Sequence, residues 1–308
     1  MDKAKKILIT GSEGFVGSAL KKALGDRVVC CDTSIGLSIL EFVNSQDMSN
    51  IDTVVNCAAV QLFTPGVDLY NYETFYHANV ETLDILVKAC IKNKVKKFIH
   101  LSTDMVYGIP GDRAIVENQE LKPVGFYGKT KMLAEQLLLR AVGDIPIITI
   151  FRPRVIGGPG RAGLFLLLAK LAKYHLPIPL FGNGRNKYQM VHVDDFVGLI
   201  TEAIEKDVQG TFNVGSLEVT SLREKIEVAA GNLGVKPLFL PLPEVLVIFA
   251  SKLFYKLRLG PLHPEQYMTT GRNFVLSLDN TLKNFEWRPK YSDNQIISES
   301  FDALKQSL

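Results

Sequence analysis

Cysteine is scarce in this chain, and the four present (Cys30, Cys31, Cys57 and Cys90) fall in apolar strand-like or helical stretches without metal-ligand spacing. That excludes a disulfide framework and a cysteine-based metal module, and fits small buried hydrophobes in a reducing compartment. Histidine is as thin, with five dispersed residues, so a metal site has no support. Charge of one sign is also missing. Lys and Arg total 35 against 32 for Asp and Glu, and the basic residues are scattered rather than gathered into a stripe that could follow nucleic acid. Lys3, Lys5 and Lys6 read as a solvated face ahead of the first apolar run, which is three residues long. The sequence therefore predicts no signal peptide, and with reduced thiols it predicts a cytoplasmic location. Repeats and low-complexity tracts are absent. A length of 308 residues allows one large domain, or a domain with a satellite.

What is present is alternation. Apolar strand-like runs at 7–10, 27–31, 53–57, 97–101 and 145–151 are separated by helical patterns that include 15–24, 72–93 and 127–142. Such a rhythm predicts an α/β fold with a doubly wound parallel sheet, helices on both faces and ligands at the carboxyl ends of the strands. After the first run comes Gly11-Ser12-Glu13-Gly14-Phe15-Val16-Gly17. Glycines at this spacing also mark ordinary turns, but between a strand and a helix they suit a dinucleotide. Gly11 permits the tight turn, Gly14 lets the backbone approach a pyrophosphate, and Gly17 lets the helix pack close to the strand. The free N–H groups and positive end of that helix then meet the phosphates.

The second run ends in Asp32, 21 residues after Gly11. A carboxylate there can accept from the adenosine ribose hydroxyls and would repel a 2′-phosphate. No Arg or Lys lies among Ser12, Glu13, Thr33 and Ser34, so the reading is NAD rather than NADP. The small residues of Asn56-Cys57-Ala58-Ala59 would let a flat cofactor lie against the backbone, or simply close a tightly packed strand. Asp47-Met48 could cap an adenine, the carboxylate on its amino group and the Met over its ring; the alternative is a solvated loop. Tyr127 and Lys131, four apart at the head of a helix, share one face. An ammonium beside a phenol favours the phenolate and moves the Tyr toward general acid–base work, although such pairs also occur on plain surface helices.

Taken in order, Gly11-x-x-Gly14-x-x-Gly17, Asp32, Asn56-Cys57-Ala58-Ala59, Asn79, Ser102-Thr103-Asp104-x-Val106-Tyr107-Gly108, Tyr127-x-x-x-Lys131, Arg152-Pro153 and His192-Val193-Asp194-Asp195 carry a resemblance. Over nearly its whole length the chain resembles the extended short-chain dehydrogenase/reductase family, in its NAD-dependent epimerase/dehydratase branch. The resemblance implies a Rossmann domain over 1–153, with 188–215 returning to it, and a smaller C-terminal α/β substrate domain mainly over 154–308. It implies Tyr127 as the acid–base residue, Lys131 on the nicotinamide ribose, Thr103 on the reacting oxygen and Asn79 behind the site. NAD would be contacted by Gly11, Gly14, Phe15, Val16, Gly17, Asp32, Asp47, Met48, Ala58, Ala59, Gln61, Asn79, Tyr127, Lys131 and Pro153. Substrate would meet Thr103, Asp104, Arg154, Arg161, Arg185 and Tyr188. The family's usual homodimer packs the helices at 72–93 and 127–142.

Departures refine the expectation. Sugar-nucleotide 4,6-dehydratases carry a basic Glu after the Asp of Ser-Thr-Asp; Met105 stands there and cannot accept a proton, which disfavours that elimination. Asp104 is read either as a second acid–base group or as a loop cap. Where many nucleotide-sugar epimerases grip the diphosphate with an Asn and an Arg, this chain has Val155 and Tyr188, leaving Arg154, Arg161 and Arg185 to replace them. The apolar stretch 244–256 is too short and too charged to span a bilayer. Three readings of it compete, in order: core helix of the substrate domain, lid over the substrate, and membrane-surface contact through Lys252, Lys256 and Arg258. The expected function is NAD-dependent epimerisation of a nucleotide-linked sugar through a transient ketone. The alternative is an NAD-dependent dehydrogenase or reductase of a non-nucleotide secondary alcohol or ketone, of hydroxysteroid or dihydroflavonol type. A catalytically silent NAD-binding regulator is the third.

Overall fold

The computed structural model describes residues 5–62, 64, 66–161, 164–259, 263–269 and 271–306; Lys3 lies outside them. In chain order the elements are β1 (Lys6–Thr10), α1 (Phe15–Leu24), β2 (Val28–Cys31), α2 (Ile39–Ser45), β3 (Ile51–Asn56), α3 (Tyr72–Tyr76), α4 (Thr82–Lys92), β4 (Lys97–Leu101), α5 (Phe126–Arg140), β5 (Ile147–Pro153) and β6 (Val155–Gly157). They continue as α6 (Leu164–Lys173), β7 (Pro177–Phe181), β8 (Met190–His192), α7 (Val193–Glu205), β9 (Gly210–Val214), α8 (Leu222–Asn232), β10 (Leu238–Leu242), α9 (Glu244–Lys256), α10 (Pro264–Tyr267), α11 (Asp279–Asn284) and α12 (Asp293–Gln306).

Six strands form one parallel sheet in the order β2-β1-β3-β4-β5-β9. Successive side chains of a strand face opposite layers, and here both layers are apolar. Ile7, Ile9, Val55 and Ile99 pack with α1 and α7, while Leu8, Val54 and Phe98 pack with α2, α4 and α5. The chain leaves β1 to one side for β2 and returns to its other side for β3, so the winding reverses at β1. A crevice at the carboxyl ends of β1 and β3 is where such a sheet takes its ligand. α7 and β9, late in the chain, complete this layer beside α1 and β5.

The rest builds on smaller pairings, β6 with β8 and β7 with β10. α12 packs on α6 and α8 around a separate core that includes Ile226, Ile296 and Phe301. His192-Val193-Asp194-Asp195 serves this assembly. His192 caps α7, and the Asp195 carboxylate accepts from the amides of Lys290 and Tyr291. Trp287 packs in the core and donates to the Asp195 carbonyl.

The stretch expected at 72–93 is helical from Tyr72 to Lys92. Within it a π turn at His77–Glu81 joins α3 to α4 and carries Asn79 into the interior; such single π turns often sit at functional sites. One expected element differs, because α9 is not a core helix: Ser251 is its one buried residue, while Val245, Leu246, Phe249 and Leu253 are exposed. α2, which the sequence analysis does not mark, starts at a capping box formed by Ser38 and Glu41.

Candidate active site

The glycine-rich turn is built by close approach. Gly11 has φ +68°, and a Cβ on it would lie 2.7 Å from the Ala58 nitrogen, across the crevice at the end of β3. A Cβ on Gly17 would sit 2.0 Å from the Gly11 carbonyl oxygen. Only glycine fits either place. Gly14 caps α1 with no side-chain hydrogen bond, leaving the positive helix end open to an anion. Asp32 lies against this turn: its carboxylate accepts from the Glu13 amide at 3.0 Å and from the Ser34 amide and hydroxyl at 2.8 Å each. Burial raises its pKa, but these donors outweigh it and hold the group below its ordinary value. The turn opens onto a cleft of about 890 Å³ lined by Glu13, Phe15, Ser18, Gln61, Gly160, Arg161 and Asp194. The cradle fits the phosphates and ribose of NAD.

Residues expected near the adenine divide. Asp47 is exposed and holds the Ser49 amide and hydroxyl. Met48 is 2% exposed and packed among Leu8, Cys31 and Phe42, so most of its side chain belongs to the core. Ala58 and Ala59 are partly buried beside Gly11, and Pro153 closes β5 opposite Val214.

At the next strand end, Thr103 lies close enough to the Tyr127 phenol to favour its ionised form. Behind them Asn79 clamps the Val60 backbone through both amide ends, at 2.9 Å each, and donates to Thr130 at 3.1 Å. The π turn thus ties the exit of β3 to α5. Lys131 is buried with Nζ 3.1 Å from Nε2 of His100, whose Nδ1 lies 3.1 Å from Asn56; Thr10 donates to Asn56 at 2.6 Å. Burial pushes Lys131 down to about 8, against the pull of Glu135. His100 falls well below its ordinary value, through burial first and Lys131 second. Tyr127 shifts in the direction opposite to the lowering expected from Lys131. Burial, Glu265 and Asp104 push the phenol up, and Thr103 and Arg161 only partly oppose them. Lys131 faces His100.

The arginines also separate. Arg154 is buried in an ion pair with Asp104, its guanidinium 4.1 Å from the Phe274 ring and 4.7 Å from that of Tyr188. Nη1 of Arg154 is taken by Asp104, while its buried Nε has no hydrogen-bond partner among the described residues. Tyr188 forms one wall of that sandwich. Arg185 is exposed at the turn after β7 and does not join the cluster. Arg161 does: it lines the cleft, stacks over Phe15 at 5.2 Å and lies close to Tyr127 and Tyr188.

Two further residues enter that sequence reading missed. His100 had a faint signal, a polar residue inside the apolar run of β4. Glu265, on α10, had none. Its Oε1 accepts from the Gly128 amide at 2.5 Å, just beyond Tyr127, and so caps α5, whose own cap is Gly125. Gly125 and Gly128 leave room for it; a Cβ at Gly125 would lie 2.4 Å from its Cγ. Among the described residues Oε2 has no hydrogen-bond partner, and it lies 3.6 Å from Nδ1 of His263.

Burial raises Glu265 from 4.5 to about 7, against the Gly128 amide. The folded chain then binds more protons than the unfolded one between those values, so this group lowers stability as pH rises through that window. Glu265→Gln keeps an acceptor for Gly128 and should flatten the fall. In denaturant titrations near pH 8 it should gain up to about 3 kcal/mol over the parent. An unchanged pH dependence would show that the carboxyl titrates alike in the folded and unfolded chain.

Among the described residues no helix is long and apolar enough to cross a membrane. The family model described as NAD dependent epimerase/dehydratase matches residues 7–215. A UDP-glucose 4-epimerase of Vibrio cholerae is 27% identical over 98% of this chain and 95% of its own. An uncharacterised protein of Sinorhizobium fredii, y4nG, is 29% identical over 97% and 78%. Among solved structures, the UDP-glucuronic acid 4-epimerase of Bacillus cereus in complex with UDP-glucuronic acid and NAD superposes with a TM-score of 0.75 at 24% identity, covering 98% of this chain and 100% of that one. The UDP-N-acetylglucosamine 4-epimerase of Methanobrevibacter ruminantium gives 0.78 at 17%, covering 99% and 100%. Sheet order, glycine cradle and the match over most of the chain agree: this protein is an NAD-dependent enzyme of the epimerase/dehydratase family.

Proposed function

We propose that the chain epimerises a secondary alcohol of a nucleotide-linked sugar through a transient ketone. The observation that carries this reading is the Thr103–Tyr127 pair at the same strand ends as the cofactor cradle, with Arg161 between cleft and phenol. Thr103 would orient the reacting hydroxyl. Tyr127 would take its O–H proton as the hydride leaves the same carbon. Bound NAD would supply reversible hydride acceptance at that carbon, and Tyr127 would return the proton once the ketone had turned its other face. The balance is closed, and no external oxidant is consumed. Gly11, Gly14 and Gly17 would hold the pyrophosphate, Asp32 the adenosine ribose and Lys131 the nicotinamide ribose. With Arg154 held by Asp104, the substrate diphosphate falls to Arg161. We divide the chain as a cofactor domain over 1–153 joined by 188–215, with the remainder of 154–308 facing the substrate.

A homodimer through α4 and α5 accompanies this reading. A groove of about 670 Å³ runs between their outer faces, with Ile85, Ile91, Leu133 and Leu137 among its lining. Four free thiols fit a cytoplasmic location. Calorimetric titration of NAD-loaded protein with UDP, dTDP, GDP and CDP tests the substrate class. UDP is expected to bind saturably, as the substrates in the relatives' names carry it. Silence from all four would mean that Arg161 cannot replace the missing grip and would move the reading to apolar alcohols and ketones.

A further inference from the structure

We propose that the outer face of α9 docks on an anionic phospholipid surface. A helix on a folded protein buries its apolar stripe and shows its polar one; α9 carries apolar side chains on its exposed side as well as on its covered side. Glu244, Val247, Ile248, Ser251 and Tyr255, at helical spacing, make up the half-buried to buried side. Glu244 lies against Gly271, and the Tyr255 ring sits 5.2 Å from His263 and 5.0 Å from Tyr70. The opposite side carries Val245, Leu246, Phe249, Leu253 and Leu257, with Phe249 at 69% and Val245 at 78% exposure. Leu259, just past the helix, is exposed at 72%. Large contiguous apolar exposure of this kind marks an interaction surface rather than ordinary scatter.

Charge selects the occupant. Lys252 and Lys256 are exposed on the same side, Arg258 follows, and that face carries no acid. Lysine stems lie along an apolar boundary while their ammonium groups reach the headgroup layer. An anionic bilayer supplies both an apolar layer for the five aliphatic and aromatic side chains and phosphates for the cations. A second copy of this chain docking through the same face would bring only further cations and no acid from that face to pair with them. Its exposed apolar side would lie along the surface, and the helix is not long and apolar enough to cross it.

Co-sedimentation of the full NAD-loaded chain with vesicles tests the proposal. Vesicles of phosphatidylcholine with phosphatidylglycerol should carry the protein down at low salt and release it at high salt, and pure phosphatidylcholine should hold far less. Lys252→Gln with Lys256→Gln should weaken the anionic binding roughly 30-fold. Phe249→Glu with Leu253→Glu should abolish it. These side chains are exposed, so both double variants should keep the parent's unfolding midpoint and NAD affinity, which separates lost docking from lost folding. A Phe249→Trp reporter should shift its emission to the blue on anionic vesicles. No sedimentation with either vesicle overturns the proposal. So does an assembly in free solution, measured by light scattering, that the Phe249→Glu, Leu253→Glu chain loses, since the face would then belong to a second copy.

Discussion

Tyr127→Phe should lower turnover by about 10²- to 10⁴-fold, the range that a positioned acid–base group contributes, while NAD binding stays within error of the parent. The phenyl ring keeps the shape of the site, and only the hydroxyl that meets Thr103 is removed. Thr103 retains a partner in Asp104 at 3.2 Å, so the loop at the end of β4 should not collapse. The contrast between lost turnover and retained cofactor separates an enzyme from a silent NAD-binding regulator. Retained turnover would move the proton to another group in reach, and the two carboxyls that raise the phenol, Glu265 and Asp104, would be examined next. The measurement is turnover of UDP-glucose and UDP-glucuronic acid beside NAD titration of the same preparation. The outcome bears on mechanism as well as on class. Burial first, then Glu265 and Asp104, push the phenol up, and Arg161 is among the groups that pull it back toward the ionised form.

Much of this site could be read from the chain, and the reason is local. Gly11 and Gly17 are dictated by backbone atoms within a few residues or across one strand end, and spacing shows that directly. The Tyr127–Lys131 interval is likewise a property of one helix. What could not be read is pairing at long range. Lys131 was expected beside Tyr127, but its ammonium faces His100 on β4, 31 residues away in sequence. Arg154 looked available for phosphate until folding set Asp104 beside it, 50 residues upstream. Glu265 reaches Gly128 across 137 residues, and nothing near either residue announces the contact. The sheet was legible because its strands are uniformly apolar, whereas α9 misled for the same reason. Apolar content predicts burial, but α9 keeps its apolar stripe in the open.

The largest loss of stability should come from Glu135→Ala, on the same face of α5. Tyr127, Lys131 and Glu135 recur every four residues and point in turn at the catalytic loop, at β4 and at the β4–β5 boundary. Glu135 is 1% exposed. It accepts from the Ser102 hydroxyl and takes Arg152 in a two-pronged contact, Nε at 3.0 Å and Nη2 at 2.6 Å. Arg152 donates onward to the Tyr107 hydroxyl and the Glu117 carbonyl, both at 2.9 Å, and Tyr107 donates to Asn213 on β9 at 2.6 Å. The network therefore ties α5, β4, β5 and β9 together beneath the reacting groups. Deleting the carboxylate leaves a guanidinium buried without its counter-charge, a change that costs about 3–5 kcal/mol. Denaturant unfolding should show that loss. A chain carrying both Glu135→Leu and Arg152→Met should recover most of it, because replacing a whole buried pair by apolar side chains is often close to neutral. If the single and double variants were equally unstable, the packing of α5 on the sheet, not the charge pair, would be what Glu135 maintains. The same pair of variants reaches the active site through Lys131, which Glu135 holds up against burial. Without that carboxylate Lys131 should titrate lower, and a drop in NAD affinity near neutral pH should accompany the drop in stability.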